Sequence, residues 1–132
     1  MDTNSAAHDD RVIRNVIESW YCAMEEGDVA ELLSLVTTDV IVKAPGSEPI
    51  SGKKQLERAL NAFLQTHAET VDYEVDEVEK SGQLAFASIS ERATIQPRSG
   101  ANTSIVNGLH LTILRRQPDG AWLIARDFSS LV

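Results

Sequence analysis

Several familiar handles are missing from this chain of 132 residues. It has one cysteine, Cys22, so no intrachain disulfide can form, and no zinc-type spacing is present. Cys22 falls among helical core positions and reads as a small buried hydrophobe. Three scattered histidines, His8, His67 and His110, give no pair at metal-ligand spacing, so no metal is expected. Basic residues are also scarce. Twelve lysines and arginines stand against twenty acids, for a net charge of −8, and the adjacent basic pairs are only Lys53-Lys54 and Arg115-Arg116, the latter beside an expected turn. A nucleic-acid partner is therefore not expected, since that partner calls for a basic face. No apolar stretch approaches a membrane span. The opening Met1 to Asp10 is polar and acidic, unlike a signal peptide, so the expected compartment is the cytoplasm. Neither Pro45-Gly46-Ser47 nor Ser51-Gly52-Lys53-Lys54 has the spacing of a phosphate loop, and there is no nucleophile elbow. No cofactor is expected.

What is present is a strong periodic pattern. Residues 1–8 carry no apolar pattern and read as a frayed end, leaving 9–132 as one domain. Val12, Ile13, Val16, Ile17, Trp20, Tyr21 and Met24 form a helical stripe, with Asp9 and Asp10 expected in its first turn. Gly27 stops that helix and Asp28 caps a short second one, whose buried side is Val29, Leu32, Leu33 and Val36. Val40-Ile41-Val42 reads as a strand, Pro45 to Pro49 as a loop, and Ser51 or Gly52 opens a third helix carrying Leu56, Ala59, Leu60, Phe63 and Leu64.

After His67 the period becomes two. Val71, Tyr73 and Val75 alternate with acids, and the acids from Asp72 to Glu79 read as a solvated strand face. Long strands follow at 84–95, 105–116 and 122–131, separated by turns at Pro97–Gly100 and Pro118–Gly120. Three helices followed by an antiparallel meander indicate an α+β domain.

With these elements placed, the chain resembles the SnoaL-like and ketosteroid-isomerase-like branch of the nuclear transport factor 2-like superfamily. The resemblance rests on Ala23-Met24-Glu25-Glu26-Gly27-Asp28, on Thr38-Asp39-Val40, on Pro45-Gly46 through Ile50-Ser51-Gly52, and on Asp119 to Asp127. Within that branch it looks most like small proteins of the SgcJ/EcaC type. The resemblance implies a cone-shaped fold, with three N-terminal helices packed on a strongly curved antiparallel sheet. A pocket is expected between the sheet and the first and third helices. It also implies a small, partly apolar organic ligand and a homodimer formed through the outer sheet face.

The resemblance does not carry one activity, because this fold hosts isomerases, dehydratases, cyclases, epoxide hydrolases and pure binders. The steroid isomerase would place an aspartate base before the loop proline, where this chain has Ala44. Its helix tyrosine aligns with Trp20, one step from Tyr21, and its strand acid has no counterpart in Gly108-Leu109-His110-Leu111. That proton-abstraction machinery reads as absent. An epoxide-hydrolase-like Asp–Arg–Asp relay could draw on Arg92, Arg126 and Asp127, yet Arg126 and Asp127 point to opposite faces unless a bulge intervenes. A dehydratase-like His–Asp pair could form from His110 and Asp127 on neighbouring strands. Asp127 could instead pair with Arg92 as a structural salt bridge.

The candidate catalytic residues are therefore His110, Asp127 and Tyr21, with Trp20 as an alternative donor. Trp20, Met24, Val42, Leu60 and Phe63 are candidate ligand-binding residues on the early elements. Tyr73, Phe86, Ser88, Ser90 and Asn107 are the candidates on the sheet. Residues 84–95 leave two faces open. If Ser88 and Ser90 line the pocket it is wet; if Ala87 and Ile89 do, Glu91 enters with a raised pKa and becomes the best base. The expected function is small-molecule binding with cofactor-free isomerase, dehydratase or cyclase chemistry. A non-catalytic ligand-binding or protein-association module is the alternative.

Overall fold

The helical stripe becomes the longest helix of the protein. The computed structural model describes residues 3–131. Helix α1 (Thr3–Glu26) buries Asp9, Ile13, Ile17, Tyr21 and Met24, a spacing of four and then three that keeps one face on the sheet. The helix runs through residues 3–8, which the apolar pattern alone assigned to a frayed end; Met1 and Asp2 lie outside the described residues. Asp9 is consequently well inside the helix. It is buried and receives a 2.7 Å ion pair from Lys80. Cys22 falls on the opposite side of α1 and is exposed rather than buried.

Gly27, at φ 69°, takes the left-handed conformation that ends α1. The Asp28 side chain then accepts the Glu31 backbone N–H at 3.0 Å and caps α2 (Val29–Ser34). That helix is shorter than its sequence pattern, because Val36 already belongs to strand β1 (Val36–Lys43). A two-residue strand, β2 (Ile50–Ser51), leads to Gly52 at φ 89° and to α3 (Lys53–Thr66). Four long strands complete the chain: β3 (His67–Ser81), β4 (Leu84–Pro97), β5 (Ser104–Arg116) and β6 (Trp122–Leu131).

The six strands form one sheet in the order β2-β1-β6-β5-β4-β3, antiparallel except for the parallel pair β1–β6. The sheet is mixed with helices at the N-terminal side, and it bends without closing. Bulges interrupt the ladder between β3 and β4 and between β5 and β6, and each such extra residue adds local bend and twist. On β4, Ala85, Ala87, Ile89 and Ala93 are buried under the helices, while Phe86, Ser88 and Ser90 face the other way. The apolar set is thus the inner one, and it brings Glu91 inward with it. Trp122, Leu32, Leu114, Val36 and Val40 close the core between α2, β1 and the ends of β5 and β6.

Leu114 has no solvent exposure. Replacing it with alanine removes packed methyl groups and leaves a void, so Leu114→Ala is expected to cost about 2 to 5 kcal/mol of unfolding free energy. Equilibrium urea denaturation checks this, with an unchanged slope and a lower midpoint as the expected result.

Candidate functional site

One face of the meander carries ionisable side chains in consecutive strands: Glu69 on β3, Glu91 on β4, His110 on β5 and Asp127 on β6. All four line a single cavity of about 280 Å³. The rest of the lining is largely apolar, from Ile17, Trp20 and Tyr21 of α1, Val36 and Val42 of β1 and Ala44-Pro45 of the following loop, with Thr112 of β5 and Ser129 and Ser130 of β6 adding hydroxyls.

The strand register explains how these groups meet. Ile113 pairs with Arg126 and Leu114 with Ile124, so Ala125 is an extra residue in β6. Without it, strand alternation would turn Asp127 outward whenever Ile124 faces in. With it, Ile124 and Asp127 both line the cavity, and Thr112 lies opposite Asp127. Gly108 lies opposite Glu91 on β5. A β-carbon built there would stand 3.8 Å from Glu91 Cγ and 3.3 Å from the Ser130 carbonyl oxygen. The missing side chain leaves the Glu91 carboxylate room to reach along β5 to His110.

The resulting hydrogen-bond chain is continuous. Tyr21 donates its hydroxyl to Glu91 Oε2 at 2.8 Å. Glu91 Oε1 lies 2.9 Å from His110 Nε2, and Asp127 Oδ2 lies 3.0 Å from His110 Nδ1. Thr112 donates its hydroxyl to Asp127 Oδ1 at 2.8 Å. Tyr73 supports the far end by stacking on the Tyr21 ring, with centroids 4.2 Å apart.

This geometry decides the protonation states. Burial by itself would lower the His110 pKa. The carboxylates of Asp127 and Glu91, one on each nitrogen, outweigh it and raise the value to about 10. His110 is therefore an imidazolium at neutral pH, and neither nitrogen is free for a ligand. Burial works to raise the Glu91 carboxyl, but the His110 and Tyr21 hydrogen bonds dominate and hold it below the ordinary carboxylate range. The raised Glu91 pKa that an inward β4 face suggested is thus reversed, because the imidazolium was not part of that expectation. Burial, then the Glu91 charge, raises the Tyr21 hydroxyl far above its usual range and keeps it a neutral donor.

The carboxyl with a strongly raised pKa is Glu69. Burial pushes it up, the Glu91 charge adds to this, and His110 offsets a part, leaving it at about 7. Glu69 was not among the residues singled out in the sequence. Its signal was nevertheless there: counting back by two from Tyr73 and Val71 places Glu69 on the apolar face, out of phase with the solvated acids from Asp72 onward.

Of the sequence-derived candidates, Trp20, Tyr21, Val42, His110 and Asp127 stand on the cavity wall. The others do not. Met24 is in the core, and Leu60 is on the buried face of α3, which contributes no side chain to the cavity. Phe63 stacks on His67, and Tyr73 lies behind Tyr21. Phe86, Ser88, Ser90 and Asn107 belong to the outer alternation of their strands, and Ser90 donates to Asp76 at 2.6 Å. The pocket is accordingly built against α1 rather than between α1 and α3. The Arg92–Asp127 salt bridge does not form, since Asp127 is held by His110 and Thr112. Arg126 turns outward to the Asp39 carbonyl at 3.0 Å, so an Asp–Arg–Asp relay is not assembled in the cavity.

The SnoaL-like domain family matches residues 17–123. The chain belongs to the SnoaL-like family. Solved structures agree at the level of the fold. A ketosteroid isomerase-like protein from Erwinia carotovora atroseptica superposes with a TM-score of 0.84 at 23% identity, covering 92% of this chain and 95% of that one. A conserved protein from Planctomyces limnophilus gives 0.88 at 27% identity, over 96% of this chain and 99% of the other. A hexachlorocyclohexane dehydrochlorinase from Novosphingobium barchaimii gives 0.86 at 10% identity, over 98% and 90%. No curated protein sequence matches the chain. Among the described residues no helix is long and apolar enough to cross a membrane. No group of acids, histidines and cysteine among them is arranged to hold a metal ion.

The His110 network has a thermodynamic signature. A histidine whose folded pKa lies above its unfolded value of about 6.5 adds stability that is fully present below pH 6.5 and fades as pH rises toward 10. The stability advantage of the wild type over His110→Gln is therefore expected to be largest near pH 6 and to shrink steadily up to pH 10. Urea titrations across that range measure it, and an imidazole carbon shift that stays in the imidazolium position at pH 8 by NMR checks the same assignment directly.

Proposed function

We propose that this SnoaL-like protein binds a small, partly apolar organic molecule and performs cofactor-free acid–base chemistry on it, of the isomerase, dehydratase or cyclase kind. The observation that carries this reading is the set of four ionisable side chains, Glu69, Glu91, His110 and Asp127, on the wall of one largely apolar cavity. A pure apolar carrier needs none of them. The parts divide by their ionisation. Tyr21, Glu91, His110 and Asp127 form a fixed, preorganised array that orients the ligand and presents the outer edges of two carboxylates. Glu69, which changes charge near neutral pH, is the group suited to take up and return a proton. His110 and Asp127 thus act as an electrostatic unit, not as a free base with its orienting acid.

Ala44 gives the second reading its support. It lines the cavity at the loop position where the resemblance to the isomerase implies an aspartate, so that route to proton abstraction is closed and a non-catalytic binder is the competing function. The two are separated by screening a fragment library by NMR and incubating each bound compound in D2O. Acid–base chemistry is expected to exchange a carbon-bound proton of at least one ligand, and Glu69→Gln is expected to slow that exchange at least tenfold when compared at saturating ligand. Binding without exchange in every case would leave the carrier function.

We also propose a homodimer through the outer sheet face. Leu109 and Leu111 on β5 and Phe128 on β6 are 47%, 42% and 41% exposed there, with Leu111 and Phe128 opposite one another. Adjacent exposed apolar side chains of this size favour a covering surface, and a two-fold symmetric contact of the same face is the simplest one. Leu111→Glu is expected to shift the sedimentation coefficient from dimer to monomer in analytical ultracentrifugation; an unchanged monomeric wild type would remove the proposal.

A further inference from the structure

The charges on the cavity wall do not balance. Three carboxylates, Glu69, Glu91 and Asp127, face one cation, His110, and no lysine or arginine is among the lining residues. Glu91 and Asp127 are both committed to the two imidazole nitrogens. Glu69 stands apart from that arrangement: among the described residues its carboxylate has neither a hydrogen-bond nor an ion-pair partner, and only charges at a distance act on it. With Glu69 protonated the wall carries a net charge of −1, and with Glu69 ionised −2. An enclosed site with an uncompensated negative charge repels anionic ligands and favours cationic ones. The remaining walls suit the rest of such a molecule. Trp20, Ile17, Val36 and Val42 offer an apolar bed, and the Trp20 indole is the side chain best able to hold a cation against its face.

We infer that the ligand of this cavity is an organic cation, a protonated amine on a small apolar body, and that Glu69 is the counter-charge that recognises it. The inference rests on the cavity being the ligand site, as proposed above, and it adds the chemical class of the ligand. Free Glu69 titrates close to neutral pH because burial, with the Glu91 charge added, outweighs the partial offset from His110. A bound ammonium group supplies the missing charge, so ligand binding and Glu69 ionisation are coupled. The charges that act on Glu69 are Glu91 of β4 and His110 of β5; Tyr21 of α1 feels the Glu69 charge in return, Asp127 of β6 shares the cavity wall, and Glu25 of α1 meets β3 two residues along, at Val71. Tyr21 remains neutral and His110 remains charged through the range where Glu69 changes. Glu25 is engaged by the Val71 backbone N–H at 3.3 Å.

The test uses the full chain and paired probes of graded size: cyclohexylamine with cyclohexanol, benzylamine with benzyl alcohol, and 2-phenylethylamine with 2-phenylethanol. Calorimetry or NMR titration gives each affinity at pH 6 and pH 8, where amines of this kind remain protonated to a large degree. At pH 8 at least one amine is expected to bind about tenfold or more tightly than its alcohol. Because the ionised fraction of a group with a pKa near 7 changes about tenfold between pH 8 and pH 6, the amine affinity is expected to fall by about that factor, while the alcohol affinity stays level. In Glu69→Gln the amine preference is expected to vanish with the alcohol affinity retained. Alcohols that bind as tightly as their amines, or a preference that survives Glu69→Gln, would overturn the cation assignment and leave the cavity as a ligand site. Failure of all six probes to bind the folded protein would remove the ligand-site reading itself, and the cation assignment with it.

Discussion

An imidazole ring flanked by two carboxylates can donate to both only when it carries two protons. That constraint governs the interior of this protein. His110 meets Glu91 at 2.9 Å and Asp127 at 3.0 Å, so the ring is fixed in place and held charged. Its charge lowers the Glu91 carboxyl, which in turn keeps the Tyr21 hydroxyl as a donor and tightens the contact between α1 and the sheet. The same Glu91 charge reaches Glu69 and contributes to its raised pKa. The ring thus sets the state of Glu91, burial supplies the larger part of the Tyr21 and Glu69 shifts, and the usual role of a cavity histidine as a freely titrating base is given up.

The network requires specific departures from a regular sheet. Four strands each supply one group, and in an unbroken ladder their alternation would not bring all four to one wall. The extra residue Ala125 restores Asp127 to the inner face after Ile124. Gly108 removes the one side chain that would lie between Glu91 and its partner. Both devices act through the backbone: one changes phase, the other clears space. The same bulge directs Arg126 to Asp39 on the opposite side, which keeps its guanidinium out of the cavity and preserves the cavity's negative character.

Much of the fold was legible in the sequence because periodicity reports burial directly. The stripe from Val12 to Met24, the alternation from Val71 to Val75 and the Pro-Asp-Gly turn all correspond to elements of the expected type. The errors lie where local pattern and tertiary packing compete. Val36 continues the helical spacing of α2, yet it enters β1, where parallel pairing with Ile124 offers more than another helical turn. Residues 3–8 lack an apolar stripe but extend a helix already nucleated by the packed residues that follow. The site was legible only as residue types. His110 and Asp127 could be placed on adjacent strands, but their partners depended on the bulge at Ala125 and on the inward phase of β4, and no local signal specifies either. Ligand-lining assignments failed most often on the sheet for the same reason. Phe86, Ser88, Ser90 and Asn107 are one residue out of phase with the wall, and a period of two makes such a slip exchange every side chain for its neighbour.

The distribution of charge also accounts for how a SnoaL-like chain can lack the isomerase's residues and still hold ionisable groups in its interior. In the isomerase arrangement implied by the resemblance, the base stands on the loop after β1. Here that loop presents Ala44 and Pro45, and the ionisable groups of the cavity stand on the long strands instead. Strands hold side chains more rigidly than a loop does, and α1 locks one end of the array through Tyr21 and Tyr73. In a wall built this way the hydroxyls of Tyr21 and Thr112 and both imidazole nitrogens already point at carboxylates, so these four donors are not offered to a ligand. Such a wall is well suited to a ligand that brings donors or positive charge of its own. The chemistry open to this cavity is therefore set less by the fold it shares with its relatives than by which side of the hollow carries the charge.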